Sequence, residues 1–304
     1  GGLWAYVWPM PPQATIETPS LPVRVPLANR PLGILASARA AQRNIVELIP
    51  EIATQAPMIS GTTGARWHMI MSPEALRHVL RDRVEDYPKS AVTKLILGNA
   101  IRHSLFVIEG AEWRWQRRAV APVFSHRNIA AMAPIMAGAA ERAAERIGRA
   151  AGSHAVDAFD EMVAATFEVI ADVTLSGGEG FDRHKVHRAI EAYIAQSAKV
   201  SILDVIGAPG WIPRPGRLFS ATPMRQVQKL ADDVISGRRQ SGPLPVPDLL
   251  DLLIAGQDPQ TGRQMTQDEL RDNLLTFIVA GHETTALTLA WSLYLLAFDP
   301  AVQE

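Results

Sequence analysis

The chain contains no cysteine among its 304 residues. A disulfide is therefore excluded, and no thiolate is available to ligate a metal. An excess of charge is also lacking, because 30 lysines and arginines stand against 31 acids and give a formal net charge of −1. This balance gives no reason to expect a polyanionic partner, and we expect no nucleic-acid binding.

A targeting or anchoring signal is likewise missing from the first residues. Glu17 is the first charged residue, so the basic region of a signal peptide is absent. The apolar run 3–7 is too short to span a bilayer. We therefore expect a soluble, cytoplasmic protein without a membrane anchor.

Both ends lack the features of a complete folding unit. The chain starts with Gly1 rather than methionine, and Asp299 with Pro300 is typical of a helix start about one turn before Glu304. We expect a fragment of a longer reading frame.

Hydrophobic residues are abundant and make up 47% of the chain. Its longest apolar segment begins where Thr266 and Glu269 have the spacing of a capping box, and no proline interrupts it before Phe298. The pattern predicts a helix over about 267–298, about 45 Å long at 1.5 Å per residue. Glu283 at its midpoint would cost about 2.5 to 3.5 kcal/mol at bilayer depth, which favours a helix buried across a large domain.

The midpoint of that helix, residues 280–285, reads AGHETT. Gly281 costs about 1 kcal/mol relative to alanine inside a helix, so together with Ala280 it indicates that something flat approaches the backbone. Thr284 and the threonine after it can turn their hydroxyls to carbonyls four residues earlier, which bends a helix and opens a groove. Glu283 beside that groove would be partly desolvated and suited to passing protons.

Residues 280–285 have two other interpretations. A kinked core helix that tolerates an acid explains the same residues. A zinc site of the H-E-x-x-H type does not, because Ala286 stands where the second histidine would be.

A second stretch, residues 104–125, carries Trp113 and Arg117 four positions apart, so both side chains project from one face of a helix. An indole N–H and a guanidinium are pure donors, and together they form a clamp for an anion. The alternative is an ordinary amphipathic helix with a solvated arginine face.

Residues 104–125 and 280–285 together resemble the W-x-x-x-R helix and the central helix of the cytochrome P-450 haem-thiolate monooxygenases. The resemblance implies that Trp113 and Arg117 hold a haem propionate. It also implies that Ala280 and Gly281 lie against the haem face and that Glu283 and Thr284 deliver protons to dioxygen. The substrate pocket is implied to contain Leu105, Phe106 and Phe277.

The resemblance also implies a mainly α fold with a small β-sheet, truncated after the long central helix. We expect one incomplete domain over 1–304, composed of an N-terminal segment 1–56, a small sheet 57–71 and a helical part 72–304. Strands are expected at 58–61 and 66–71. Helices are expected from residue 73, near 127–150, 158–175, 183–201 and 224–238, with a short Leu-rich helix before the loop 256–265. The Pro- and Gly-rich stretch 207–223 is expected to be either a lid over the substrate entrance or an ordinary surface loop.

The main departure from the family is the missing cysteine, because a cysteine thiolate ligates the iron. Glu74 and Arg77 have the Glu-x-x-Arg spacing of the family but lie too early, and none of the eight histidines occupies a family ligand position. We expect no metal ligand from this chain and weak or absent binding of haem b to it.

As a whole, the resemblance implies a haem-dependent monooxygenase. Such an oxidoreductase inserts one atom of dioxygen into an apolar organic substrate with electrons from a redox partner, a ferredoxin or a flavoprotein. The fragment alone is expected to be inactive. The competing hypothesis is a non-enzymatic helical relic or binding module that uses the apolar surface left open.

Overall fold

A computed structural model of the chain describes residues 21–30, 32–63, 65–98, 100–150, 155–175, 188 and 221–303. Across these residues the fold is mainly helical with a small two-stranded sheet, which confirms the predicted fold class. The expected helix 183–201 and the expected lid 207–223 lie almost entirely outside the described residues.

The elements follow one another in the order of the chain. The first half contains α1 (Ile34–Arg43), β1 (Met58–Thr63), β2 (Ala65–Ile70), α2 (Pro73–Arg77), α3 (Ala91–Leu97), α4 (Gly110–Val120) and α5 (His126–Ala150). The second half contains α6 (Ala158–Leu175), α7 (Ala221–Ser241), α8 (Leu249–Ala255), α9 (Gln267–Leu296) and α10 (Pro300–Gln303). Short helical turns lie at Ile45–Leu48, Glu51–Thr54, His78–Asp82, Val84–Asp86 and Ala121–Phe124.

The two strands pair antiparallel along their whole length. Gly61 lies opposite Trp67, and a Cβ at Gly61 would lie 2.3 Å from Cζ2 of that indole. The glycine is therefore required because the tryptophan ring of the neighbouring strand lies across its backbone.

Side chains fix the starts of two helices as the sequence predicted. The Ser72 hydroxyl accepts a hydrogen bond from the Ala75 amide at 3.1 Å and caps α2. At α9, the Thr266 hydroxyl accepts from the Glu269 amide at 3.3 Å, and the Glu269 carboxylate accepts from the Thr266 amide at 2.8 Å. The capping box thus sets the first residue of a 30-residue helix.

The core lies where α9 packs against α6, with further contacts from α7 and α8, while α5 packs on the same α6. Apolar side chains on three of these helices are completely buried. They are Leu270, Leu274 and Ile278 on α9, Leu249, Leu250 and Leu253 on α8, and Ile235 on α7. This burial places the first half of α9 at the centre of the described fold.

Burial along α9 changes near Ala280. The sequence favoured a helix buried across a large domain, but Leu287 is 47% exposed, Trp291 54% and Leu295 52%. That prediction was wrong for the second half, because burial depends on neighbouring elements and the described residues supply few beyond Ala280. No described helix combines the length and apolar character that a membrane crossing needs.

An ion pair joins the loop before α9 to α4. The buried Asp258 carboxylate accepts two hydrogen bonds from the Arg118 guanidinium, at 2.7 and 2.8 Å, and one from the Thr261 hydroxyl at 2.8 Å. The guanidinium of Arg118 and these hydrogen bonds hold the pKa of Asp258 well below its ordinary value of 3.8.

We expect Asp258→Asn to destabilise the chain at neutral pH and to matter less in acid. A carboxylate whose pKa is lowered by folding stabilises the folded state above its unfolded pKa of about 4, and this stabilisation is lost as the pH falls toward the folded pKa. The measurement is the free energy of urea unfolding of both chains at about pH 7, 5 and 3. Asp233→Asn, at an exposed pair with Lys229, is the control. A stability difference for Asp258→Asn that does not change with pH would contradict the assignment.

Candidate functional site

One tryptophan and one arginine of α4 are already bound by other side chains of the protein. Trp115 is buried, its Nε1 donates to the Glu112 carboxylate at 2.7 Å, and the Arg263 guanidinium covers its ring at 3.9 Å from the centroid. Arg118 is held by Asp258 as described above. Neither group is available to bind an anion.

The predicted anion clamp is on another face of the same helix. Trp113 is half-buried and Arg117 is exposed, and no hydrogen bond or ion pair joins either side chain to the described residues. Arg114, in contrast, pairs with the exposed Glu85. Of the tryptophans and arginines on α4, the pair predicted from the sequence is therefore the pair without a partner among the described residues.

On α9 the structure brings Ala280 and Thr284 onto one exposed face, one helical turn apart. The Thr284 hydroxyl donates to the Ala280 carbonyl at 2.7 Å, in the local bond expected from the sequence. Glu283 is also exposed, so the partial desolvation expected for its carboxylate is absent among the described residues. Desolvation of the Glu283 carboxylate requires a second surface packed against this face of α9, and the described residues do not provide one.

The two residues between Ala280 and Glu283 face the protein interior. A Cβ at Gly281 would lie 3.2 Å from Cδ1 of Ile170, so the glycine allows α6 to approach α9 closely. His282 is buried, its Nδ1 lies 2.9 Å from the Ile278 carbonyl, and its ring packs edge-on against Phe167. This packing gives His282 a structural role and gives Gly281 a reason for its small size that involves no ligand.

The residues assigned to a substrate pocket differ in their surroundings. Phe106 is 50% exposed, whereas Leu105 and Phe277 are partly buried and pack against the core. The Phe277 ring makes an edge-to-face contact with Phe124 at 5.2 Å between centroids. Phe124 follows α4 and is an apolar neighbour of Phe277 that sequence reasoning did not assign.

A buried amide pair connects the two motif-bearing helices. The Asn273 Nδ2 group donates to Oε1 of Gln116 at 2.8 Å, and both side chains are almost completely buried. Sequence reasoning gave neither residue a role. Each residue carries an amide on the apolar side of its helix. A buried amide requires a hydrogen-bond partner, so this position could have indicated that Asn273 and Gln116 pair.

Comparison with known proteins identifies the family. A model described as cytochrome P450 matches residues 56–304, which include the sheet, α4 and α9. The chain belongs to the cytochrome P450 family. Both motifs, residues 104–125 and 280–285, lie inside the part matched to the P450 model.

Relatives and a solved structure agree with the P450 assignment. A cyclooctat-9-en-7-ol 5-monooxygenase of Streptomyces melanosporofaciens is 29% identical over 301 residues, 97% of this chain and 61% of the relative. A bifunctional cytochrome P450/NADPH–P450 reductase of Alternaria alternata is 31% identical over 220 residues, 69% of this chain and 19% of the relative. The crystal structure of the cytochrome P450DA heme domain, at 22% identity, matches the fold with a TM-score of 0.67 over 83% of this chain and 54% of that chain. The chain thus spans 61% of the Streptomyces relative and a smaller share of the other two.

The contact between Gly281 and Ile170 makes a prediction about stability. We expect Gly281→Ala to be more favourable in a chain that also carries Ile170→Val, because valine lacks the Cδ1 atom that a Cβ would meet at 3.2 Å. The expected coupling is about 0.5 to 1 kcal/mol, measured as a double-mutant cycle by urea unfolding.

Gly237 on α7 is a matched control, because nothing lies within 4 Å of a Cβ built there. We expect Gly237→Ala to stabilise the chain by about 0.5 to 1 kcal/mol through helix propensity alone, without coupling to Ile170→Val. Equal coupling at both glycines would show that the contact with α6 does not determine the effect at Gly281.

Proposed function

We propose that this chain is the oxygen- and substrate-handling part of a haem-dependent monooxygenase, an oxidoreductase that inserts one atom of dioxygen into an apolar organic substrate. The observation that carries the proposal is the free donor pair on α4. Trp113 and Arg117 have no described protein partner, while Trp115, Arg114 and Arg118 each have one.

The donor chemistry fits the carboxylate side of haem b. A propionate accepts hydrogen bonds from an indole N–H and a guanidinium, and a charge-assisted bond to arginine is about twice as strong as a neutral one. Trp113 and Arg117 would hold this side of the group. Bound haem supplies the iron centre at which dioxygen is reduced, and the thiolate for that iron has no source in a chain without cysteine.

The exposed face of α9 would handle oxygen and protons. Ala280 leaves space beside the helix, and the Thr284 oxygen can accept a further hydrogen bond while its own O–H donates to the Ala280 carbonyl. Glu283 follows His282 in the sequence, is adjacent to Thr284 and is exposed. We propose that Glu283 and Thr284 deliver protons to the oxygen site and that Ala280 allows haem to approach the helix, whereas Gly281 faces Ile170 in the interior.

The substrate would be apolar, because the side chains proposed to contact it are Leu105, Phe106 and Phe277, with Phe124 packed against Phe277. Electrons would come from a redox partner, a ferredoxin or a flavoprotein. The name of the Alternaria relative joins a P450 and a reductase in one protein, which supports a flavoprotein donor.

We expect the unmodified chain to bind iron protoporphyrin IX weakly, and Arg117→Ala to weaken that binding about tenfold, the equivalent of about 1.4 kcal/mol for one lost charged hydrogen bond. Binding is measured by titration, from tryptophan fluorescence quenching and the porphyrin absorption band. The dimethyl ester of the porphyrin carries no carboxylate, so Arg117→Ala is expected to leave its binding unchanged.

Arg114→Ala is the matched control, since Arg114 lies on the same helix but points to Glu85. If Arg114→Ala weakens porphyrin binding as much as Arg117→Ala, uptake is nonspecific and the haem assignment fails. That result would instead favour a non-enzymatic helical module.

A further inference from the structure

The loop between α3 and α4 is fastened to α9 by two consecutive buried side chains. The Asp272 carboxylate accepts a hydrogen bond from the His103 amide at 2.9 Å, and the Asn273 side-chain oxygen accepts from the Leu105 amide at 2.9 Å. Asp272 is 1% exposed and Asn273 is 0% exposed. Two alternate amides of the loop are therefore held by two adjacent positions of the central helix.

Gln116 on α4 closes this arrangement. Its Nε2 group donates to the His103 carbonyl at 3.1 Å, while its Oε1 accepts from Asn273 at 2.8 Å. The loop, α4 and α9 thus form a closed ring of hydrogen bonds through buried groups. Such groups are costly to bury unless they are paired, and a fully paired network makes the geometry rigid.

The opposite side of the loop is fastened as well. The Lys89 ammonium donates to the Leu105 carbonyl at 2.6 Å and to the Ile108 carbonyl at 2.8 Å. The buried Ser104 hydroxyl accepts from the Phe106 amide at 3.3 Å. Phe106 therefore lies between two anchored backbone positions, and half of the residue's surface is exposed.

The place of Phe106 relative to the oxygen-handling face follows from the helix. Asn273 binds the residue next to Phe106, and Ala280 lies seven residues further along α9, about 10 Å by helical rise. Phe277 lies between them. The backbone beside Phe106 is thus attached to α9 about two turns before Ala280.

We propose that Asp272 and Asn273, with Gln116, are positioning residues that fix the direction of the Phe106 ring and thereby the shapes of apolar substrate admitted beside Ala280. The substrate part of this proposal rests on the proposed function, whereas the fixing of the ring does not. Asn273 lies inside a helix, where it has no capping role, and an apolar side chain would serve the packing equally well. The amide is explained by the loop groups that it binds.

The test uses the whole chain with 4-fluorophenylalanine at position 106 only, observed by fluorine NMR. The unsubstituted chain is expected to give one narrow line. Asn273→Leu, which keeps the size but loses the hydrogen bonds, is expected to split or broaden that line. Hydrogen–deuterium exchange of peptides covering 101–108 is expected to become roughly tenfold faster.

Thr276→Val is the matched control, because the buried Thr276 hydroxyl donates only within its own helix, to the Asp272 carbonyl at 2.7 Å. It is expected to leave the fluorine line unchanged. Asp272→Asn retains an oxygen for the His103 amide and is expected to retain the narrow line. Should Asn273→Leu fail to fold, Lys89→Met releases the same loop from its outer side and is expected to broaden the line.

The proposal is overturned if exchange in 101–108 accelerates while the fluorine line stays narrow, because the ring direction would then be independent of the anchors. It is also overturned if Thr276→Val broadens the line as much as Asn273→Leu does. The readout contains no porphyrin, so a failed porphyrin titration with an intact fluorine response would remove the monooxygenase assignment and leave the loop anchoring established.

Discussion

The fold depends on the burial of the first half of α9. Its apolar side chains must be packed against other helices, and its buried polar side chains must find hydrogen-bond partners. Leu270, Leu274 and Ile278 lose contact with water against the surrounding helices, at about 1.5 to 3 kcal/mol of stabilisation each. Asp272 and Asn273 point from the same buried segment, so they need partners at fixed positions. The helix therefore determines where the neighbouring loop runs, as well as where the core lies.

Because α9 fixes its surroundings, the two motifs are related through it. Asn273 joins α9 to Gln116 on α4, and Gln116 lies one position before Arg117. The packed side chains of α4 thus lie on one face of an anchored helix, and Trp113 and Arg117, which have no hydrogen-bond or ion-pair partner in the described part of the chain, lie on another. The family motifs alone do not reveal the hydrogen bond between Asn273 and Gln116. That bond holds α4, and with it the residues Trp113 and Arg117, against α9.

Local signals made much of the fold predictable from the sequence. The capping box at Thr266 and Glu269 gave the start of α9, and the Ser72 cap with Pro73 gave the start of α2. What could not be predicted depends on contacts distant in the chain. The composition of α9 does not reveal the loss of burial after Ala280, and only the position of α6 explains why Gly281 must be small.

In the second half of α9, hydroxyl groups on an apolar face donate their hydrogen bonds within the helix. Thr284, Thr288 and Ser292 each donate to the carbonyl four residues earlier, at 2.7, 2.9 and 2.8 Å. A hydroxyl bonded in this way presents only acceptor lone pairs outward, so it can accept a further hydrogen bond but cannot donate one. To donate, Thr284 must rotate its hydroxyl away from the Ala280 carbonyl and lose a bond worth about 1 kcal/mol. Under the proposed function, that small cost lets the Thr284 hydroxyl turn its donor outward when an acceptor is present, and any proton it passes on is replaced at the same time by one from a neighbouring donor.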